Sequence, residues 1–200
     1  MSIVIQPTSA ATQTAFIDKD PPLLYPSKMS FKREELDSRG DTLIILPAKR
    51  NPQVSSAQAR KLETVGLCHG YHFLCSKKHL TSASPRADKM FSSGFKEAIP
   101  EDDDGLFHWT FEPIFDPDAF KIVMKIIHGK TRDIARTVTV TQLAQISAIV
   151  DDLECYEALW FFAKGWLFNL RSIAALLNGE DIARLILIAF VFDEPALFES

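Results

Sequence analysis

Two cysteines and two histidines lie close together in one apolar segment, and these are residue types that bind zinc. The four candidates are Cys68, His69, His72 and Cys75. Thiolate sulfur and imidazole nitrogen hold Zn²⁺ in tetrahedral sites. The segment is predicted to form a strand, however, and successive side chains of a strand point to opposite faces. Cys68 and His72 would then face away from His69 and Cys75, so we expect ordinary strand residues and no metal.

The other reactive side chains do not make an active site. Asp102, Asp103 and Asp104 could bind a hard cation, but they lack the spaced ligands and terminal glutamate of a calcium loop, so we expect a solvated turn. Cys155 follows an acidic segment, whereas a catalytic cysteine needs positive neighbours that lower its pKa. The sequence also lacks a G-x-S-x-G elbow, a Walker loop and a dinucleotide-binding fingerprint. We therefore expect no catalytic residue, no cofactor and no enzymatic activity.

The composition indicates one domain with appendages. The chain has 200 residues, of which 46% are hydrophobic and 15 are phenylalanine, enough for a substantial core. Its net charge of −4 disfavours nucleic acid as a partner, because such binding depends on neutralising phosphates. An odd, low cysteine count and the lack of a signal peptide predict an intracellular protein, in the nucleus or cytoplasm. The longest apolar run, residues 185–192, is too short to cross a membrane and predicts a buried helix.

The pattern along the chain divides it into a tail, a domain and an extension. Residues 1–38 contain scattered prolines and no sustained period, so we predict a disordered N-terminal tail. Strands are predicted at residues 40–46 and 67–74, with Gly70 as a candidate bulge. Between them lies a polar insert loop, residues 47–66, with several basic side chains. The domain is predicted to span residues 39–172, and residues 173–200 form a C-terminal helical extension.

Local signals predict where the helices begin and end. Ser84 and Pro85 separate two short helices, because proline ends one helix and suits the first position of the next. An alternating strand at residues 106–114 precedes Asp116, an N-cap of a helix that Gly129 closes. Further helices are predicted after a cap at Thr139 and over residues 156–170 and 181–192.

Four aromatic residues of the helix at 156–170 are either core or interface residues. They are Trp160, Phe161, Phe162 and Trp166. Aromatic side chains are enriched at interface hot spots. The last predicted helix could cover them, however, so we favour a place in the core.

The order of these elements resembles that of the BTB/POZ domain, and most closely the BTB-domain proteins common in filamentous fungi. Residues 40–45, GDTLII, are similar to the opening G-D-V-x-L-x-V strand of the family. Residues 73–85, FLCSKKHLTSASP, are similar to its F-x-V-H-K-x-x-L-x-x-x-S-P signature. Shorter matches follow at residues 90–97, 118–129 and 150–155.

The resemblance implies an α+β fold, with a cluster of helices flanked by a small β-sheet, and a function in binding proteins. Many members homodimerise, and many recruit cullin-type ubiquitin-ligase scaffolds or transcriptional corepressors. A homodimer and a cullin scaffold are therefore implied partners. Dimers of the long form exchange an N-terminal strand, but the proline-rich segment before Gly40 offers no clear strand, so we do not expect this exchange.

We accordingly expect a non-enzymatic protein-interaction module, acting as a homo-oligomerising scaffold or an adaptor. Binding would use an apolar face of the helical cluster and the basic connection beside it. The candidate protein-binding residues are His128, Lys130, Arg132 and Arg136. The alternatives are a cullin-type ubiquitin-ligase substrate adaptor, a nucleic-acid-associated transcriptional regulator that uses the basic insert, and a zinc protein.

Overall fold

The computed structural model describes residues 32–47, 70–101, 103–171 and 179–198. These residues form four strands and six α-helices, which confirms the predicted α+β fold. The strands are β1 (Lys32–Glu35), β2 (Thr42–Pro47), β3 (Gly70–Cys75) and β4 (Phe107–Thr110). The helices are α1 (Lys77–Ala83), α2 (Pro85–Ser92), α3 (Pro117–Ile127), α4 (Val140–Leu153), α5 (Tyr156–Arg171) and α6 (Gly179–Val191). Short 3₁₀ turns occur at Lys96–Ala98 and Pro195–Phe198.

The four strands form one mixed sheet in the order β1-β3-β2-β4. β2 is antiparallel to β3, whereas β1 and β4 join the sheet in parallel. One row of residues across the inner face consists of Phe73, Ile44 and Trp109, all of them buried. Phe120 of α3 packs on this face, with its ring centroid 5.5 Å from that of Phe73. The core therefore lies between the sheet and the helices.

β1 lies inside the segment that the sequence predicts to be disordered, so that prediction is wrong for residues 32–38. Backbone pairing with β3 holds β1 in place, and Leu36, just after it, is buried. Glu34 also forms an ion pair of 2.5 Å with Lys121 of α3. The segment Lys32–Glu35 carries no apolar residue, and the partners that order it lie far along the chain.

Two further predictions fall on residues outside the described part of the chain. These are the remainder of the N-terminal tail, residues 1–31, and nearly all of the polar insert. Cys68 and His69 lie outside it too. β2 and β3 pair in an unbroken register from Thr42 opposite Cys75 to Pro47 opposite Gly70, so the described part of β3 contains no bulge.

The helical hairpin predicted around Ser84 and Pro85 is confirmed. The side chain of Ser84 accepts a hydrogen bond of 3.0 Å from the N–H of Ala87 and so caps α2. Its hydroxyl also donates a bond of 2.5 Å to the carbonyl of Leu153, at the end of α4. An ion pair between Arg86 and Asp152 joins the same two elements. The hairpin is therefore anchored to the helical cluster by a buried hydrogen bond and a partly exposed ion pair.

The caps predicted for α3 and α4 are also confirmed. Asp116 accepts hydrogen bonds from two N–H groups in the first turn of α3, and Gly129 ends that helix with a φ of 67°. Thr139 accepts a bond from the N–H of Gln142. α4 then packs against α3, α5 and α6 and forms the centre of the helical cluster.

The apolar run at residues 185–192 is predicted to form a buried helix, but only one face of that helix is buried and another apolar face is exposed. Leu185, Ile188 and Ala189 are buried, whereas Ile186 and Phe190 are exposed. α6 has 13 residues. None of the helices in the described ranges is both long and apolar enough to cross a membrane.

Candidate protein-binding surface

The four predicted binding residues lie at the end of α3 and in the connection from α3 to α4. Lys130, Arg132 and Arg136 are exposed, and none of them is ion-paired with another described residue. His128 is half-buried at the end of α3. The three cations are therefore exposed on one connection, whereas His128 is partly withdrawn from the surface.

Both ring nitrogens of His128 are used inside the fold. The N–H of Ser76 donates a hydrogen bond of 3.0 Å to Nε2, and Nδ1 lies 2.8 Å from the carbonyl oxygen of Met124. An amide N–H can only donate and a carbonyl can only accept, so the ring is neutral and protonated at Nδ1. The ring of His79 lies edge-on to it, with 5.2 Å between the centroids. His128 therefore joins α1 to α3, and we remove it from the binding surface.

The basic connection is attached to α5 by side-chain hydrogen bonds. Nε1 of Trp166 donates to the carbonyl of Ala135 at 2.9 Å, and Nδ2 of Asn169 donates to the carbonyl of Arg136 at 3.4 Å. Ile134 packs against the core from within the connection. The backbone that carries the cations is therefore held against α5.

Besides Tyr156 at its first position, α5 carries three exposed aromatic residues. Phe161 and Phe168 are 77% and 74% exposed, and Trp160 is 51% exposed. Trp166 is buried, and Phe162 packs against the core. The prediction of a core position therefore holds for Trp166 and Phe162 and is wrong for Trp160 and Phe161. α6 packs against α4 and leaves these two rings uncovered.

Helical geometry places the exposed phenylalanines between two polar anchors. At about 100° per residue, Phe161 and Phe168 differ by only about 20° around the axis of α5. Lys164 lies about 60° to one side of Phe161, and Asn169 lies about 80° to the other. Because Asn169 binds the carbonyl of Arg136, the aromatic stripe borders the basic connection. We call Phe161 and Phe168 together with Lys130, Arg132 and Arg136 the α5 surface.

A groove borders the α5 surface on the side away from the connection. It has a volume of about 230 Å³ and is lined by Lys164, Leu167, Phe168 and Glu194. Nζ of Lys164 forms an ion pair of 2.7 Å with Glu194 and lies 5.6 Å from the centre of the Trp160 ring. Because Lys164 is paired within the chain, the positive charge open to a partner lies on the connection.

Strand geometry separates the two zinc-ligand candidates that the structure describes. Cys75 is buried in the core between sheet and helices, whereas His72 lies on the other face of β3, where Arg33 is its neighbour on β1. Burial lowers the pKa of His72, and the positive charges of Arg33 and His108 lower it further. Within the described ranges, no three His, Cys, Asp or Glu side chains are grouped so that they could hold a metal ion.

The two cysteines in the described ranges are buried and poorly suited to act as nucleophiles. Burial raises the pKa of the Cys75 thiol, and the carboxylates of Asp37 and Asp41 raise it further. Burial likewise raises the pKa of the Cys155 thiol to about 12, with a smaller contribution from Asp152. Because the thiolate is the nucleophile, the raised pKa values disfavour nucleophilic chemistry at both thiols.

The acidic turn is held by hydrogen bonds from the protein itself. Asp104 accepts a bond of 2.9 Å from the N–H of Leu106 and lies 2.9 Å from Nε2 of His108. The bond from Leu106 is the main reason why the pKa of Asp104 lies below its ordinary value. Glu101 lies 3.2 Å from the other ring nitrogen of His108. Asp102 lies outside the described residues.

The sequence contained a signal for the exposed aromatics that the prediction missed. Trp160, Phe161 and Phe162 are consecutive, and consecutive residues of a helix point about 100° apart. Three such side chains cannot all face one core. Phe168, two turns after Phe161, continues the same stripe.

A scan of the chain against protein-family models gives no match, and a search of curated protein sequences finds no significant relative. The functional argument for this chain therefore rests on its residues and their geometry.

Proposed function

We propose that this chain is a non-enzymatic protein-interaction module of the BTB/POZ type, and that the α5 surface binds its partner. One observation carries the proposal: Phe161 and Phe168 stand exposed on a single stripe of α5, beside three exposed cations of a connection fixed to the same helix. The module would act as a scaffold or an adaptor inside the cell, in the nucleus or the cytoplasm.

The aromatic stripe supplies binding energy. Fully burying a phenylalanine side chain contributes about 1.5–3 kcal/mol. Phe161 and Phe168 are each about three-quarters exposed, so most of that contribution is still to be gained from a partner. Large aromatic side chains are also the residues that dominate interface energetics. A partner that covers both rings would therefore gain several kcal/mol.

The basic connection determines the charge of the partner. Lys130, Arg132 and Arg136 are opposed within the connection by the single carboxylate of Asp133, so the local charge is positive although the whole chain carries −4. Complementary charge speeds association and selects among partners. An amphipathic helix that lays an apolar face on the stripe and acidic side chains along the connection has the required chemistry.

The first experiment is affinity capture from the native host, read by quantitative mass spectrometry. The wild-type chain is compared with the double variant Phe161→Ser/Phe168→Ser. We expect at least one abundant captured protein to be lost with the double variant. Phe95→Ser/Ile99→Ser is the matched control, because these two apolar side chains are also exposed, at 57% and 66%, and lie outside α5 and the basic connection. Capture that is unchanged by the double variant would refute the proposal.

The same capture also decides the adaptor hypothesis. A cullin-type scaffold among the proteins lost with the double variant would make the chain a cullin adaptor, and a direct titration with the purified scaffold would then measure the affinity. Another protein in its place would identify a different scaffold role for the same surface.

A further inference from the structure

We propose that Thr137 is a phosphorylation site for an arginine-directed protein kinase, and that its phosphorylation blocks partner binding at the α5 surface. Thr137 is exposed in the basic connection, directly after Arg136. Its hydroxyl makes no hydrogen bond with any residue in the described ranges. The effect on binding rests on the proposed function, whereas the modification itself does not.

The connection contains two other threonines, and neither is as well placed to accept a phosphate. Thr139 is the N-cap of α4, and its hydroxyl accepts a hydrogen bond of 3.1 Å from the N–H of Gln142. Thr131 is half-buried at the other end of the connection, before both arginines in the sequence. Thr137 therefore carries the exposed hydroxyl of the connection that no described residue uses.

The sequence and the backbone around Thr137 suit recognition by a kinase that reads positive charge. Arg136 immediately precedes the acceptor and Arg132 lies five residues before it. Residues 134–139 form neither helix nor strand, so this part of the connection is not tied into regular structure. Kinases select their substrates by the pattern of charges near the acceptor hydroxyl. The same cations that we assign to the partner would therefore also attract the modifying enzyme.

The modification is a phosphoryl transfer from ATP, which the kinase binds together with Mg²⁺. A bond forms between Oγ1 of Thr137 and the γ-phosphorus, while the bond from that phosphorus to the bridging oxygen breaks. ADP leaves with the electron pair of the broken bond, and the hydroxyl proton passes to the catalytic aspartate of the kinase. A phosphatase reverses the change by hydrolysing the phosphate ester with water.

One phosphate cancels the positive charge of the connection. Residues 130–139 contain three cations and the carboxylate of Asp133, which gives a net charge of +2. A phosphothreonine carries about −1.5 to −2 at neutral pH, so the net charge of the modified connection falls to about zero. The phosphate would also follow directly after the carbonyl of Arg136 that Asn169 of α5 binds, next to the aromatic stripe. There it would repel the acidic side chains that we expect of the partner.

Mass spectrometry of the full chain tests the modification without the partner. The chain is purified from the native host with phosphatase inhibitors, and a recombinant chain is treated with an arginine-directed kinase and Mg-ATP. We expect phosphate on Thr137 in both preparations. In the kinase reaction, Thr137→Ala should lose this phosphate, whereas Thr131→Ala, the matched control, should be modified like the wild type. Absence of phosphate from Thr137 in the native chain would overturn the proposal, even if the purified kinase attaches it.

Capture from the native host then tests the effect on binding. The phosphorylated and the unphosphorylated chain are compared for the proteins that Phe161→Ser/Phe168→Ser fails to capture. We expect phosphorylation to lower their capture at least about fivefold, and Thr137→Ala after the same kinase reaction to capture like the wild type. Unchanged capture by the phosphorylated chain would refute the effect on binding. If no captured protein depends on Phe161 and Phe168, the proposed function and its regulation fail together, whereas the first experiment still decides the modification of Thr137.

Discussion

The backbone N–H of Ser76 donates a hydrogen bond of 3.0 Å to Nε2 of His128, which lies 52 residues further along the chain. The bond joins the beginning of α1 to the end of α3. Asp41 accepts a second bond, of 2.6 Å, from the N–H of Lys77 in the first turn of α1. No side chain at the beginning of α1 caps this helix, so the distant residues His128 and Asp41 accept the hydrogen bonds of its first N–H groups instead.

Acidification should weaken the fold through His128. Burial is the main reason why its pKa lies below the ordinary 6.5, and His79 and Lys130 lower it further, while the bond to Met124 and the charge of Asp37 act in the opposite direction. The folded chain therefore binds fewer protons at this site than the unfolded chain. We expect the stabilisation that neutral His128 provides to be complete above pH 6.5 and to be lost as the pH falls through the lowered pKa. Denaturant unfolding at several pH values measures this change in the free energy of unfolding.

Two variants separate this residue from other titrating groups. His128→Gln keeps an acceptor for Ser76 but does not titrate, so the slope of unfolding free energy against pH should become shallower. His72, whose pKa is also lowered, should supply the remaining slope. His128→Ala leaves the N–H of Ser76 without its acceptor and should cost about 1–3 kcal/mol. An unchanged slope in His128→Gln would assign the pH dependence to other groups.

Ser84→Ala should destabilise the chain by about 2–4 kcal/mol, because it removes a helix cap and leaves the buried carbonyl of Leu153 without its donor. The hydroxyl of Ser84 makes both contacts, to Ala87 and to Leu153. Ser82→Ala, at an exposed position of α1, should change the unfolding free energy by less than about 0.5 kcal/mol. Chemical denaturation measures both values. Equal effects of the two substitutions would show that the contact with Leu153 contributes little.

Trp166→Phe should loosen the basic connection. It keeps most of the buried ring but removes the N–H that binds Ala135, a loss of about 0.5–1.5 kcal/mol. We expect faster amide hydrogen exchange at residues 131–138, with little change in β2 and β3. Trp160→Phe, on the exposed side of α5, is the control and should leave the exchange of the connection unchanged. Uniform exchange changes across the molecule would indicate a general loss of stability instead.

Sequence signals predicted the elements whose boundaries depend on neighbouring residues. Ser84, Asp116 and Thr139 each cap a helix through a residue two or three positions away, so a short window of sequence contains the whole interaction. The preference for glycine at position 129 is equally local, because the residue that ends α3 has a positive φ, which glycine adopts without strain. The junction between α1 and α2, both ends of α3 and the beginning of α4 followed from such signals.

Features that depend on distant contacts were not predictable from one sequence. β1 is charged throughout and becomes a strand only because β3 lies beside it. The role of His128 depends on Ser76, which no local pattern connects with it. The exposure of Phe161 depends on where α6 packs, since α6 covers α4 instead. Each of these is a consequence of tertiary packing.

The most direct test of the α5 surface is a binding titration of the captured partner with a charge-reversed chain. Arg132→Glu/Arg136→Glu should weaken binding at least about tenfold, or about 1.4 kcal/mol, and should reduce its dependence on salt. Lys78→Glu/Lys96→Glu makes the same change in net charge at exposed positions elsewhere and should stay within about twofold of the wild type. Equal affinity of the wild type and the Arg132→Glu/Arg136→Glu chain, or an equal loss in the lysine control, would contradict the account.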